Sequence, residues 1–322
     1  MIKIIRLILC ICLLAGCHPS ANSVFSVTDD ASYSASLSEN GQYALVSTAN
    51  NGVLWWDLKA SQLKYHWQHG NKASKNDDNS VFDTAISANA HYAATLSNSS
   101  LVIWNIQSGK SIGWWSLPAS AQSVAIANNA QTLVGLIDGS VMSLAPEKNL
   151  IKFLGHNERV SSVSISADGQ RALTGSNDGS VILWQAQTGQ PIQQWQLESR
   201  LSKVQLNQRG SLSFVSDIKG HAYIYHNDTG AQQSQLAINR RQMTFSSARF
   251  IHQDKQLITG SPSKEIILWD TKTGKKQTTR QIQLTKNSQN RGAVVYSIAS
   301  DENQNIISIS NQGLVETWGN LK

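Results

Sequence analysis

The same short phrase returns seven times along this chain, and that recurrence limits the fold more than any other feature. The copies read NGVLWWDLKASQ (51–62), SLVIWNIQSGK (100–110), GSVMSLAPEKN (139–149), GSVILWQAQTGQ (179–190), GHAYIYHNDTGA (220–231), KEIILWDTKTGK (264–275) and GLVETWGN (313–320). Each combines a small or polar turn, a short β-rich run, an aromatic or Leu anchor and a polar turn that often ends in Thr-Gly or Ser-Gly. The anchors are Trp56, Trp104, Leu144, Trp184, Tyr225, Trp269 and Trp318, spaced by 48, 40, 40, 41, 44 and 49 residues.

The units read as strands. In the fourth, VSSVSIS (160–166), RALTGS (171–176), SVILWQA (180–186) and PIQQWQL (191–197) are separated by Asp-Gly, Asp-Gly and Thr-Gly turns. Val, Ile, Leu and Trp suit a pleated, half-buried surface, and Gly-containing pairs supply the turns. A sheet of four such strands is apolar on both faces, so the units bury one another by stacking radially. A strand-built period of 40–45 residues predicts an all-β, seven-bladed β-propeller with four strands per blade, over residues 23–322.

One unit carries a family resemblance. GHNERVSSVSISADGQRALTGSNDGSVILWQAQTG (155–189) resembles a WD40 repeat, with its Gly155-His156 start, Ala167-Asp168-Gly169 turn, Gly175-Ser176, Asp178 and Trp184. In that family a His, a Ser or Thr, an Asp and a Trp form a hydrogen-bond chain across the blade. The resemblance maps these onto His156, Thr174, Asp178 and Trp184, with His156 bridging carboxylate and hydroxyl and the indole N–H ending on the hydroxyl. That reading makes the set structural rather than a catalytic triad. The other units depart: the first, second and sixth keep the Trp without a Gly-His start, and Asn98 and Ser263 fall where Asp178 would.

The last unit supplies only three strands, AVVYSIAS (293–300), NIISIS (305–310) and LVETWG (314–319). An unpaired edge at the closing seam would be sticky. SVFSVT (23–28) is a spare strand, expected to pair outside LVETWG and complete the seventh blade.

Ahead of it, MIKIIRLILCICLLAGC has Lys3 and Arg6, then an apolar run from Leu7 to Leu14. The run is shorter than the roughly 20 residues that span a bilayer, and the layout is that of a secretory signal. Leu14-Ala15-Gly16-Cys17 resembles the lipobox of bacterial lipoproteins. That implies a signal peptide over residues 1–16, diacylglyceryl on Cys17 and a lipidated tether over 17–22. With His18 rather than Asp after the Cys, the resemblance points to the periplasmic face of the outer membrane. The chain has 3 Cys, and Cys10 and Cys12 leave with the signal. No thiol then remains for a disulfide, a metal site or a nucleophile.

The net charge of +6, about +4 without Lys3 and Arg6, is too mild for a nucleic-acid binder. No linear motif of enzyme chemistry occurs, the eight His share no metal-ligand spacing, and no cofactor or metal is expected. Asp77-Asp78-Asn79 falls short of a Ca²⁺ loop. Binding is expected on loops, with the long polar connections 69–80 and 285–292, and with Arg240, Arg241 and Arg291 as candidate partner-binding residues. The pairs Trp55-Trp56 and Trp114-Trp115 place one ring of each between blades. The other is either buried or an exposed anchor.

The expected function is an envelope scaffold for protein partners, held to the membrane by lipid on Cys17. A ligand-binding or hydrolytic propeller acting on cell-wall sugars or lactones is the alternative. A plain channel lined by Ser, Thr and Asn fits the first, and clustered carboxylates, His or metal would fit the second.

Overall fold

The computed structural model describes residues 20–69, 80–148, 150–285 and 292–319. Within them lie twenty-eight strands in seven antiparallel sheets of four. Blades one to six span 32–67, 83–116, 121–154, 160–196, 201–235 and 247–281, and in each the strands pair in chain order. The seventh is assembled from both ends of the described chain. Val295–Ser300, Ile306–Ser310 and Leu314–Trp318 are joined on the outside by Ser23–Ser26. The register runs from Ser23 opposite Thr317 to Ser26 opposite Leu314. Asn22 N–H to Thr317 O at 2.8 Å and Val27 N–H to Gly313 O at 2.9 Å extend the pairing beyond the strand itself. The expected closure is therefore present, with a strand two residues shorter than the 23–28 read from sequence.

The first turn of several blades is set by a Ser-x-Asx pair. Ser38 Oγ donates to Asn40 Oδ1, Ser87 Oγ to Asn89 Oδ1 and Ser166 Oγ to Asp168 Oδ1, at 2.8, 2.8 and 2.5 Å. The Asx oxygen also accepts the backbone N–H two residues on, the local bond that favours Asn and Asp in turns. Gly169 completes the fourth-blade turn at φ +74°, a conformation that suits Gly.

No single core exists. Buried apolar residues fall into seven clusters, one between each pair of neighbouring blades. Every seam also holds a tryptophan. In order from the first seam they are Trp55, Trp115, Trp184, Trp195, Trp269, Trp318 and Trp56. Burying a large aromatic removes 150–250 Å² from water, so each seam has its own driving force. This explains how seven divergent units still close a ring. Outer strands such as Lys110–Ser116 and Pro191–Gln196 mix exposed and half-buried residues, while middle strands such as Thr132–Leu136 are buried throughout.

The innermost strands line a central channel of about 290 Å³. Its two ends differ. One, the turn face, carries the turns between first and second and between third and fourth strands. The other, the connection face, carries the remaining turns and the blade-to-blade connections.

Candidate functional site

The fourth blade holds the predicted hydrogen-bond chain with one member added. Trp184 Nε1–H donates to Thr174 Oγ1 at 2.7 Å, and His156 Nε2 lies 2.7 Å from the same hydroxyl. His156 Nδ1 does not bond Asp178 directly, being 3.9 Å from Oδ1. Ser180 stands between them, with its Oγ 2.6 Å from Nδ1 and donating to Asp178 Oδ1 at 2.5 Å. Asp178 also accepts the N–H groups of Asn157 and Ser180 at 2.7 and 2.8 Å. The chain thus ties the connection from blade three to the second and third strands of blade four. Burial lowers the His156 pKa, partly opposed by Asp178. Burial alone would raise Asp178, but its bonds from Ser180 and Asn157 hold it below the usual carboxylate value. Gly155 admits the indole: a Cβ there would stand 2.2 Å from Trp184 Cη2.

The second blade repeats this arrangement without the expected Gly-His start. His69 Nδ1 is 2.9 Å from Thr95 Oγ1, Nε2 is 2.9 Å from Ser100 Oγ, and Trp104 Nε1–H donates to Thr95 at 2.9 Å. Ser97, rather than Asn98, meets Ser100 at 2.8 Å. His69 is buried, and desolvation lowers its pKa to about 4 against a raising bond at Ser100. A shorter form survives in blades six and seven, where Trp269 donates to Thr259 and Trp318 to Ser308. In blade one the position of Thr174 is Val46, and the buried Nε1 of Trp56 has no partner among the described residues. His69 was missed because it precedes Thr95 by 26 residues, where His156 precedes Thr174 by 18. The readable signal was the hydroxyl nine or ten residues ahead of each Trp.

The channel wall is stapled between blades. An innermost strand has one edge paired within its own sheet and leaves the N–H groups of the other facing the channel. Neighbouring blades satisfy several of these. Ser123 Oγ accepts from Val163, Ser162 Oγ from Val204, Ser164 Oγ from Leu206 and Ser297 Oγ from Leu37, at 2.9–3.3 Å. Asp83 Oδ2 does the same for Val124 at 2.8 Å. Five innermost strands have a register shift near their start, and the residues after it are Ser34, Ser123, Ser162, Lys203 and Ser297. The wall is therefore mostly hydroxyl and aliphatic, with Asp83 and Lys203 as charged members. Burial raises Asp83 to about 6 despite Lys203, and burial lowers Lys203 despite Asp83. At the turn face Arg249 spans from blade six to blade one. It donates to Leu37 O, Ser38 O and Glu39 Oε2 at 2.9, 3.1 and 2.9 Å. Among the described residues no group of three or more His, Cys, Asp and Glu could hold a metal ion.

Cys17, Arg291, Asp77-Asp78-Asn79 and most of both long connections lie outside the described residues. Arg240 and Arg241, expected near a partner site between blades seven and one, belong instead to the connection from blade five to blade six. Arg240 is spent on Glu265, which it meets in two bonds, the shorter 2.5 Å; Arg241 is exposed. Trp55 is buried and Trp56 meets Phe25 edge-on at 5.5 Å. Trp115 packs into its seam, while Trp114 remains 57 % exposed on the rim of blade two. No helix among the described residues is long and apolar enough to cross a membrane.

Seven four-stranded blades, closed by a strand from the other end of the chain and braced by His–hydroxyl–Trp chains, define a WD40-like β-propeller. The family described as "WD domain, G-beta repeat" matches residues 147–185, from the last strand of blade three to the third of blade four. The chain is similar over 92 residues, at 27% identity, to a ribosome biogenesis protein BOP1 homolog of Oryza sativa subsp. japonica, covering 28% of this chain and 14% of that one. It is 26% identical over 130 residues to eukaryotic translation initiation factor 3 subunit I of Phaeosphaeria nodorum, covering 37% and 39%. Against the same subunit of Neosartorya fischeri it is 23% identical over 188 residues, covering 52% and 55%. The chain thus spans about half, or much less, of the length of these relatives.

Proposed function

We propose that this chain is a lipid-anchored lipoprotein of the bacterial cell envelope, and that its propeller is a scaffold for protein partners at the periplasmic face of the outer membrane. The observation that carries the reading joins sequence to fold. Leu14-Ala15-Gly16-Cys17 ends six residues before Ser23, and Ser23 opens the strand that closes the ring. Six extended residues reach at most roughly 20 Å. A lipid on Cys17 would therefore hold the disc beside the bilayer through a structural strand rather than a loose tail.

The scaffold reading draws on the rest of the ring. Its channel wall is mostly hydroxyl and aliphatic, and Ser123, Ser162, Ser164, Ser297, Asp83 and Arg249 use polar atoms to join blades. The connection face carries the blade-to-blade loops on a rigid base, the arrangement in which loops do the binding. A relative that is by its name a subunit of a larger factor supports the same use of the fold.

Two measurements test this. A Cys17→Ser variant should leave the membrane fraction; equal fractionation of variant and parent would reject the anchor. In-cell crosslinking from the connection face should then capture envelope proteins reproducibly. Recovery of none, with a small molecule retained through purification, would favour the ligand-binding alternative.

A further inference from the structure

Four ammonium groups crowd the turn face of blade six. Lys255 lies in the turn between its first and second strands. Lys272, Lys275 and Lys276 lie in or beside the turn between Glu265–Asp270 and Lys276–Gln281. All four are exposed, and none makes an ion pair among the described residues. The nearby carboxylates each have bonds of their own. Asp254 meets Arg209 at 2.7 Å and Asn207 at 2.9 Å. Asp270 accepts the hydroxyl and the N–H of Thr273, each at 2.7 Å, and these bonds, with smaller help from the neighbouring Lys272, hold it below its usual pKa. In blade seven Asp301 is taken up by Asn305 within its own turn, and the exposed Glu302 lines a cleft shared with Asn40 and Lys59 of blade one.

A second observation concerns where the chain enters the ring. Ala21 packs against the cluster between blades six and seven, which contains Leu268 and Trp318. The register of the closing strand carries it past the end of Leu314–Trp318, and so toward the turn face. In blade six the third strand also ends at that face, and Leu268 and Trp269 stand opposite Thr278 and Lys276. The segment leading back to Cys17 therefore departs from the seam that borders the lysines.

We propose that this rim rests on an anionic membrane surface, with Lys255, Lys272, Lys275 and Lys276 contacting the phosphates of lipids such as phosphatidylglycerol. The inference rests on the lipid-anchor reading above. Unanchored, four lysines screened over about 8 Å at physiological salt would hold a disc only weakly. A short leash changes this, because it raises the effective concentration of the rim at the headgroups. The ring then stands with its turn face tilted toward the bilayer at blades six and seven, and its connection face turned away.

The test uses the full lipidated chain, purified from membranes and reconstituted into vesicles. Its only native thiol is committed to lipid, so an introduced cysteine is a single label. Gln277→Cys reports the rim, and Glu198→Cys reports the connection face. In vesicles containing phosphatidylglycerol, maleimide labelling at 277 should slow by roughly fivefold or more relative to phosphatidylcholine vesicles, with labelling at 198 unchanged. Added salt and the triple variant Lys272→Glu, Lys275→Glu, Lys276→Glu should each remove the difference. Equal labelling in the two lipids would overturn the proposal. So would protection that survives salt and charge reversal, since that would come from the leash or from a bound protein. Failure of the chain to stay with either vesicle is a separate outcome: it rejects the anchor, and this inference with it.

Discussion

A hydroxyl two residues past the strand position that faces the anchor Trp decides whether a blade has a polar spine. Thr174 serves His156 and Trp184 at once, so Thr174→Val leaves two buried groups without a partner. Each such loss costs about 1–3 kcal/mol. The urea midpoint should drop accordingly at unchanged slope. The converse change is Val46→Thr, which offers the orphaned Trp56 N–H a partner and should stabilise by about 1 kcal/mol; a loss of stability there would show that the indole cannot reach the new oxygen. Glu316 behaves differently. It is fully buried, its Oε1 accepts the Gln283 N–H at 3.0 Å, its Oε2 has no partner among the described residues, and burial raises it to about 7. A folded-state pKa above the unfolded value of 4.5 means that the folded chain keeps a proton the unfolded chain has released. Stability should therefore fall as pH rises from about 4.5 to 7 and level off beyond. Glu316→Gln should flatten that slope in urea titrations at pH 5 and 8, and an unchanged slope would assign it to other groups. The anchors were plain in the sequence because Trp is rare and their spacing is regular. His69 and Glu316 were not: one sits behind a long insertion, and the other is a lone acid in LVETW, where alternation gives no hint of the seam it faces.

Among the elements, the closing strand Ser23–Ser26 is the least buried. Ser23, Val24 and Ser26 are exposed, and the half-buried Phe25 touches Trp56. Its hold is mainly the backbone ladder to Leu314–Trp318. Phe25→Ala should loosen this latch more than the ring. Limited proteolysis should cut near residues 20–28 under conditions where tryptophan fluorescence is still native; simultaneous loss of both would mean the strand and the ring unfold as one. The strand was readable from sequence because the last unit lacked a fourth member and SVFSVT was unassigned. Its two-residue shortening was not, since Val27 keeps a ladder bond while Thr28 turns to cap Asp30.

At the scale of the molecule, every seam carries at least one tryptophan, and the first carries three, so fluorescence reports on all seven interfaces. Blades share their cores with both neighbours, so no blade can leave without exposing two seams. Unfolding in urea should appear as one transition, coincident by fluorescence and far-UV circular dichroism. Separate transitions would mean that some seams open alone. The blade count and ring closure could be read from the period and the missing strand. The assignment of surface residues could not, because which connection an arginine occupies depends on counting strands through degenerate units: Arg240 lies two seams from the region between blades seven and one and is already paired.

Ring closure by the leading segment also sets an order of events in time. Ser23–Ser26 emerges from synthesis before any other part of the disc, yet its hydrogen-bonding edge, Leu314–Trp318, is made last. Such distant pairing is slow to find. Ser23–Ser26 must wait without its partner until the distant Leu314–Trp318 has been made.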